Sequence, residues 1–344
     1  MKMKKAISYD DVLLIPQFSN IRSRKEIDLT SDLGKNLKLK VPIISSPMDT
    51  VTESMMAGSM SYLGGLGIIH RYCSIEKQVS LIEQSLDNYN IVDRIGFAVG
   101  VGEDMLERAG KCLNAGATVI CIDVAHGHHI NVKDALLELR EAFGYNVHIM
   151  AGNVATIEGI NYLADWGANS VRCNIGGGSI CSTRIQTGHG YPGLQTIMEC
   201  SKTDRNVTII ADGGIRNAGD IVKALAAGAD AVMIGSLLSG TKETPGAVYT
   251  DVNGIKYKTY RGMASKEAQV QWRGNYSSFE GISSKVPYRG KVENIIQDLE
   301  RGVRSGLSYS GARTIRELQS KATWVRQTTA SLSESKTHIT TRKW

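Results

Sequence analysis

The chain has 344 residues, 42% hydrophobic and 22% charged, enough to bury one large core, and barrels of this length are routinely single domains. Its net charge of +6 is scattered, densest in the MKMKK start and the RKW end, which argues against a nucleic-acid stripe and suits an anionic small molecule. No window is apolar enough for a membrane span, and the six cysteines show no CxxC pair or zinc spacing. A non-membrane protein in a reducing cytoplasm is expected.

A lead-in, YDDVLLIPQFSNIRSR, precedes the first of eight short apolar runs. The runs are VPIISSPMD from Val41, LGIIH from Leu66, IGFAVG from Ile95, VICIDVAHG from Val119, VHIMAGN from Val147, SVRCNIGGG from Ser170, VTIIADGG from Val207 and AVMIGS from Ala231. They are rich in β-branched residues and alternate with helix-like segments such as 75–86, 132–143 and 219–229. Continuous apolar strands suit burial on both faces, and the spacing suits one strand plus one helix. Together they predict a (β/α)₈ TIM barrel with its polar C-terminal rim at the ends of the runs.

Within the fourth run, HGHH (126–129) invites a metal reading, but consecutive residues alternate in direction at a strand end and no carboxylate or cysteine partner is evident. Asp123 is the better candidate there, as a hydrogen-bonding group for a cofactor amide. The sixth run leads into GGGSICSTR, where glycines bare the backbone beside Cys181. Arg184 is expected to favour a thiolate at Cys181, and Thr183 and Glu280 to move protons near it. The other cysteines, Cys73, Cys112, Cys121, Cys173 and Cys200, lie in apolar runs or helix-like segments and read as buried thiols.

The seventh and eighth runs end in ADGGIR and GS, so N–H groups of Gly213, Gly214, Gly235 and Ser236 face the mouth, where barrels bind phosphate. Asp212 is placed to accept from a ribose diol. Beyond YRGM (260–263), the Gly/Ser-rich stretch 273–285 reads as a mobile flap over the rim. A C-terminal extension follows, and 331–344 reads as a frayed tail. Residues 1–344 are expected to form a single catalytic domain.

GGGSICSTR, ADGGIR, MIGS, YRGM and SSPMDTVTE (45–53), in this order, resemble the inosine monophosphate dehydrogenase and GMP reductase family from about Tyr9 to about Arg326. The resemblance implies a barrel assembled as a homotetramer whose cysteine adds to C2 of a purine nucleotide. The CBS modules usual in the dehydrogenases have no room after the second run. The Arg-Tyr pair that activates water in dehydrogenases is absent from 264–285, while NYSSFEG, KVPYRGKVENII and TGHGYP follow the reductase wording. The reductase branch implies NADPH-dependent deamination of GMP to IMP and ammonia through a covalent thioimidate.

On this resemblance Cys181 is the nucleophile and Thr183 and Glu280 form the proton relay. Nucleotide contacts fall to Ser46, Met48, Ser179, Asp212, Gly213, Gly214, Gly235, Ser236, Gly262 and Met263. The cofactor would meet Arg71, Asp123, Val124, Ala125, Ile175, Gly176 and Tyr276, with Ser23, Arg24, Ser305 and Ser308 reaching it from a neighbouring subunit. Potassium would sit on Gly176, Gly178 and Cys181. The chain departs from the family wording at Asn174, where glycine is usual, and at Gly177, which replaces the proline of Gly-Pro-Gly. Ser277 and His189 also depart. A dehydrogenase without the insert, a non-catalytic nucleotide-binding relative and a flavin enzyme are the alternatives.

Overall fold

The structure, a computed structural model, describes residues 3–35, 37–89, 94–276 and 279–337. Each of the eight apolar runs supplies one strand: Ile43–Ser45, Leu66–Ile69, Ile95–Val99, Val119–Asp123, His148–Val154, Ser170–Cys173, Thr208–Asp212 and Ala231–Ile234. They pair in parallel in chain order, and the eighth pairs the first, Met233 opposite Ile44, closing the barrel. Between the second and third strands the described chain holds one helix, Ile75–Tyr89.

Alternation along each strand divides the apolar side chains between two cores. Ile44, Ile68, Cys121, Met150, Ile210 and Met233 fill the barrel interior. Their neighbours Ile43, Ile69, Ile120, Ile122, Ile149 and Ile209 pack outward into the larger core beneath the helices. A two-stranded hairpin, Ser31–Asp32 with Lys38–Leu39, adds Leu33, Leu37 and Leu39 to the interior cluster and so plugs the N-terminal end of the barrel. The helix expected over 219–229 runs over Ala218–Ala226, capped by the Asn217 side chain, and stops before Gly228 at φ 114°.

His148, at the plugged end, is buried and hydrogen-bonded through Nε2 to Ser170 Oγ at 2.8 Å. Burial lowers its pKa from 6.5 to about 4, so the folded chain keeps it neutral where the unfolded chain takes up a proton. The unfolded state binds more protons in that window, and stability is lost as pH falls from 6.5 towards 4, by roughly 3 kcal/mol at the low end. His148→Gln is expected to shrink the fall in urea midpoint between about pH 7 and about pH 4.5. An unchanged fall would remove His148 from the acid sensitivity.

Two stretches of the C-terminal third carry more regular structure than the sequence suggests. The stretch 273–285 is not a free flap throughout. It follows the helix Lys266–Arg273 and ends in the strand Ser283–Pro287, which pairs antiparallel with Lys256–Arg261 beside a third strand, Tyr249–Thr250. Ser277 lies outside the described residues. Residues 331–334 of the expected tail belong to a helix, Thr329–Glu334, capped by Thr328. The strand before it, Trp324–Arg326, pairs with Val12–Leu14, so lead-in and C-terminal segment hold each other. Residues 338–344 lie outside the described residues. No described helix is long and apolar enough to cross a membrane.

Candidate active site

The sixth strand ends at Cys173, and residues 174–182 form the loop that carries Cys181 into a short helix, Thr183–Thr187. The Cys181 N–H donates to Gly178 O at 3.1 Å, a tight turn. The descending end of the flap docks on this loop: Ser182 N–H donates to Glu280 O at 2.8 Å and Ile282 N–H to Ile180 O at 3.0 Å. That pairing brings Glu280 to a residue 97 positions earlier. The Cys181 thiol donates to Thr183 Oγ1 at 3.1 Å, and the Thr183 hydroxyl donates to Glu280 Oε2 at 2.6 Å. A thiol, a hydroxyl and a carboxylate thus stand in one hydrogen-bonded line.

Cys181 is also the exposed thiol among the six. Burial pushes Cys73 and Cys121 up to about 11 and Cys112 up to about 12. Cys173 is raised by its hydrogen bond with buried Cys200 and by burial. Alkylation needs an accessible thiolate. Brief iodoacetamide treatment near neutral pH is therefore expected to label Cys181 ahead of the other five, read by peptide mass spectrometry. Equal labelling of Cys73 would contradict this.

Cys181 opens into a cavity of about 370 Å³ at the C-terminal rim. Thr183 and Glu280 share its wall, as do Ser46, Met48 and Ser179. The turns after the seventh and eighth strands bring Asp212, Gly213, Gly214, Gly235 and Ser236 to the same wall, and the strand-edge turn adds Gly262 and Met263. Gly213 and Gly214 have φ of 80° and 75°, so the turn requires glycine. At Gly235 close approach is the reason: a Cβ would lie 3.0 Å from Met48 Sδ and 3.1 Å from Tyr260 Oη. Tyr260, 5% exposed and with its phenol pKa raised by burial, is a wall residue that the sequence reading passed over within YRGM.

Each strand-end carboxylate engages one oxygen with an internal donor. Arg172, 6% exposed, donates from Nη1 to Asp123 Oδ1 at 2.8 Å and from Nε to Asp212 Oδ2 at 3.0 Å. Asn153 Nδ2 donates to the same Asp212 oxygen at 2.8 Å. Neither Arg172 nor Asn153 was singled out from sequence. Arg184 Nη2 donates to Tyr191 O at 2.6 Å and Ile175 O at 3.4 Å, tying 184–191 to the loop base.

Of the residues expected around a cofactor, Arg71, Asp123, Val124, Ala125, Ile175 and Gly176 line the cavity. Arg71 Nη2 donates to Asp123 O at 3.2 Å, while its Nε is buried with no partner among the described residues. Tyr276 is exposed beside the Lys266 ammonium, 4.7 Å from the ring centroid, and is not a wall residue. Ser23 and Arg24 sit in a turn packed on the helix Val292–Tyr309, which carries Ser305 and Ser308. None of the four lines the cavity.

In HGHH, His129 Nδ1 caps the helix Ile130–Phe143, and His128 packs on Tyr162 with centroids 4.8 Å apart. Partial burial and the neighbouring histidines lower the His126 pKa. Among the described residues no group of three or more His, Cys, Asp or Glu is placed to hold a metal ion.

Known proteins resemble this chain over nearly its whole length. Residues 6–338 match the family model described as "IMP dehydrogenase / GMP reductase domain". The inosine-5'-monophosphate dehydrogenase of Cryptosporidium parvum is 39% identical, with 97% of this chain and 95% of that protein covered. The GMP reductase of Leishmania major is 31% identical, with 98% and 97% covered. That alignment runs over 483 residues against 344 here, so extra length does not separate dehydrogenases from reductases. A crystal structure of a cysteine-to-alanine variant of Trypanosoma brucei GMP reductase, in complex with guanosine 5'-monophosphate, superposes with a TM-score of 0.91 at 30% identity, covering 98% of each chain. The chain belongs to the IMP dehydrogenase / GMP reductase family of nicotinamide-dependent oxidoreductases.

Proposed function

We propose that this chain is a GMP reductase, deaminating GMP to IMP and ammonia at the expense of NADPH. The observation that carries the reading is the line Cys181–Thr183–Glu280, with spacings of 3.1 and 2.6 Å, at the wall of a purine-sized cavity. Cys181 sulfur adds to C2 of the purine. An exocyclic amine leaves poorly unless protonated; Glu280, having taken the Cys181 thiol proton through the Thr183 hydroxyl, returns it by the same relay to the amine. Ammonia departs as the C2–N bond breaks, leaving a thioimidate on Cys181. A nicotinamide cofactor held along Asp123, Val124, Ala125, Ile175 and Gly176 would supply the hydride to C2. The C2–S bond then breaks, Cys181 regains its thiolate and IMP is released.

Gly213, Gly214, Gly235 and Ser236 would cradle the nucleotide phosphate with their N–H groups. Ser46, Met48, Ser179, Gly262 and Met263 would bracket the nucleoside. Arg71, a guanidinium on the cavity wall, would be the cationic donor for the extra phosphate of NADPH. Ser23, Arg24, Ser305 and Ser308 would serve the cofactor of a neighbouring copy in a homotetramer. The carbonyls of Gly176, Gly178 and Cys181 have suitable chemistry for potassium. Gly178 O already accepts the Cys181 N–H, and no step passes through a cation. The reading treats residues 1–344 as one catalytic unit working in the cytoplasm.

The second reading, a dehydrogenase, is favoured by the 39% identity to the Cryptosporidium parvum protein. Absorbance at 340 nm separates them. The proposal expects loss of NADPH with GMP, matched by ammonia, and no sustained turnover with IMP and NAD. Steady NADH formation from IMP would replace it with the second reading.

A further inference from the structure

Asn174 holds a backbone conformation, φ 148°, that suits glycine, at the point where the sixth strand gives way to the Cys181 loop. Its side chain is not idle. Nδ2 donates to Asp212 O at 2.9 Å and to Gly213 O at 3.3 Å, both in the turn that ends the seventh strand. The residue is 5% exposed, and its Oδ1 is buried without a partner among the described residues.

Gly177 explains itself only through this side chain. A Cβ on it would lie 2.2 Å from Asn174 Nδ2, 2.7 Å from Oδ1 and 2.8 Å from Cγ, its three nearest neighbours. The Gly177 backbone lies outside the left-handed region, unlike Gly176 at φ 79°. Another residue could hold this backbone. The Asn174 carboxamide is what excludes a side chain at 177, and it cannot withdraw without giving up its two hydrogen bonds to the carbonyls of Asp212 and Gly213.

We infer that Asn174 is a positioning residue that fixes the nucleophile loop 176–181 against the phosphate-side turn 212–214, and that Gly177 is glycine to admit its carboxamide. The inference rests on reading Cys181 as the nucleophile and 212–214 as the phosphate turn. In this chain a side chain, rather than the ligand, sets the register between the two.

The test is a double-mutant cycle of Asn174→Gly, Gly177→Ala and the pair, reading kcat, KM for GMP, thermal midpoint and the rate of Cys181 alkylation by iodoacetamide. Gly177→Ala is expected to lower kcat roughly tenfold in the parent background but less than about twofold beside Asn174→Gly, since misplacement of a reacting group by a fraction of an ångström costs on that order. Asn174→Gly alone is expected to lower kcat comparably and change the alkylation rate at least about threefold, with the thermal midpoint held because backbone strain is relieved. Equal cost of Gly177→Ala in both backgrounds, or kcat and alkylation unchanged in Asn174→Gly, would overturn the inference. The alkylation cycle reads the tether even if the parent shows no GMP turnover, so failure of the proposed function and failure of the tether are separable.

Discussion

Cys181→Ala is expected to abolish reductive turnover, by roughly 10⁴-fold or more, as removal of a nucleophile does elsewhere. GMP binding should stay within about tenfold, ~1.4 kcal/mol, because the sulfur contributes little to holding the ground-state purine. The grounds are local. Cys181 is exposed at the cavity wall, and its partner Thr183 stands 3.1 Å away. The remaining wall, including Gly213, Gly214, Gly235 and Ser236, is untouched by the change. Calorimetry with GMP and the NADPH assay check the two halves separately. Unimpaired turnover would remove the covalent mechanism, and loss of binding together with turnover would make Cys181 a structural residue of the loop.

Glu280→Gln is expected to divide the reaction in two. The amide keeps the shape of the side chain but removes the charge that accepts from Thr183 at 2.6 Å. Release of ammonia from GMP should slow by roughly 10²–10⁴-fold, the usual contribution of a positioned acid or base. Hydride transfer to a thioimidate already formed from IMP involves no amine and should change less than about threefold. Rapid-quench ammonia and stopped-flow absorbance measure the steps. Equal loss in both would show that Glu280 only holds the flap, a role its backbone carbonyl already has through Ser182.

The barrel was legible because its strands are short, apolar and bounded by polar rim residues, a local pattern that needs no partner to interpret. The site loop was legible for the same reason: glycines, Ser179, Cys181 and Thr183 lie within a few residues. What stayed hidden depends on long reach. Arg172 sits in a strand of apolar neighbours, and only the closed barrel shows it spanning from Asp123 on the fourth strand to Asp212 on the seventh. Tyr260 and Asn153 stand near Gly262 and Gly152, and nothing local marks which neighbour of such a glycine turns into the cavity. The stretch 273–285 looked like a loose flap because its serines and glycines mask the strand Ser283–Pro287, whose partner, Lys256–Arg261, lies more than twenty residues earlier. Arg184 stood near Cys181 in sequence, but the helix Thr183–Thr187 turns it to the carbonyls of Ile175 and Tyr191. Asn174 and Gly177 looked like two unrelated departures from the family wording. The structure makes them one feature, since the side chain of the first occupies the space above the second.

The central claim is that Cys181 forms a covalent purine adduct which water does not resolve. Mixing the protein with IMP and NADP in the absence of ammonia tests it, followed at 340 nm and by mass spectrometry of the Cys181 peptide. The account predicts a single burst of NADPH equivalent to the sites present, then arrest, with the nucleotide retained on Cys181. Continuous NADPH formation would contradict it by showing that water is activated at this site. So would an unmodified Cys181 in a protein that turns over GMP.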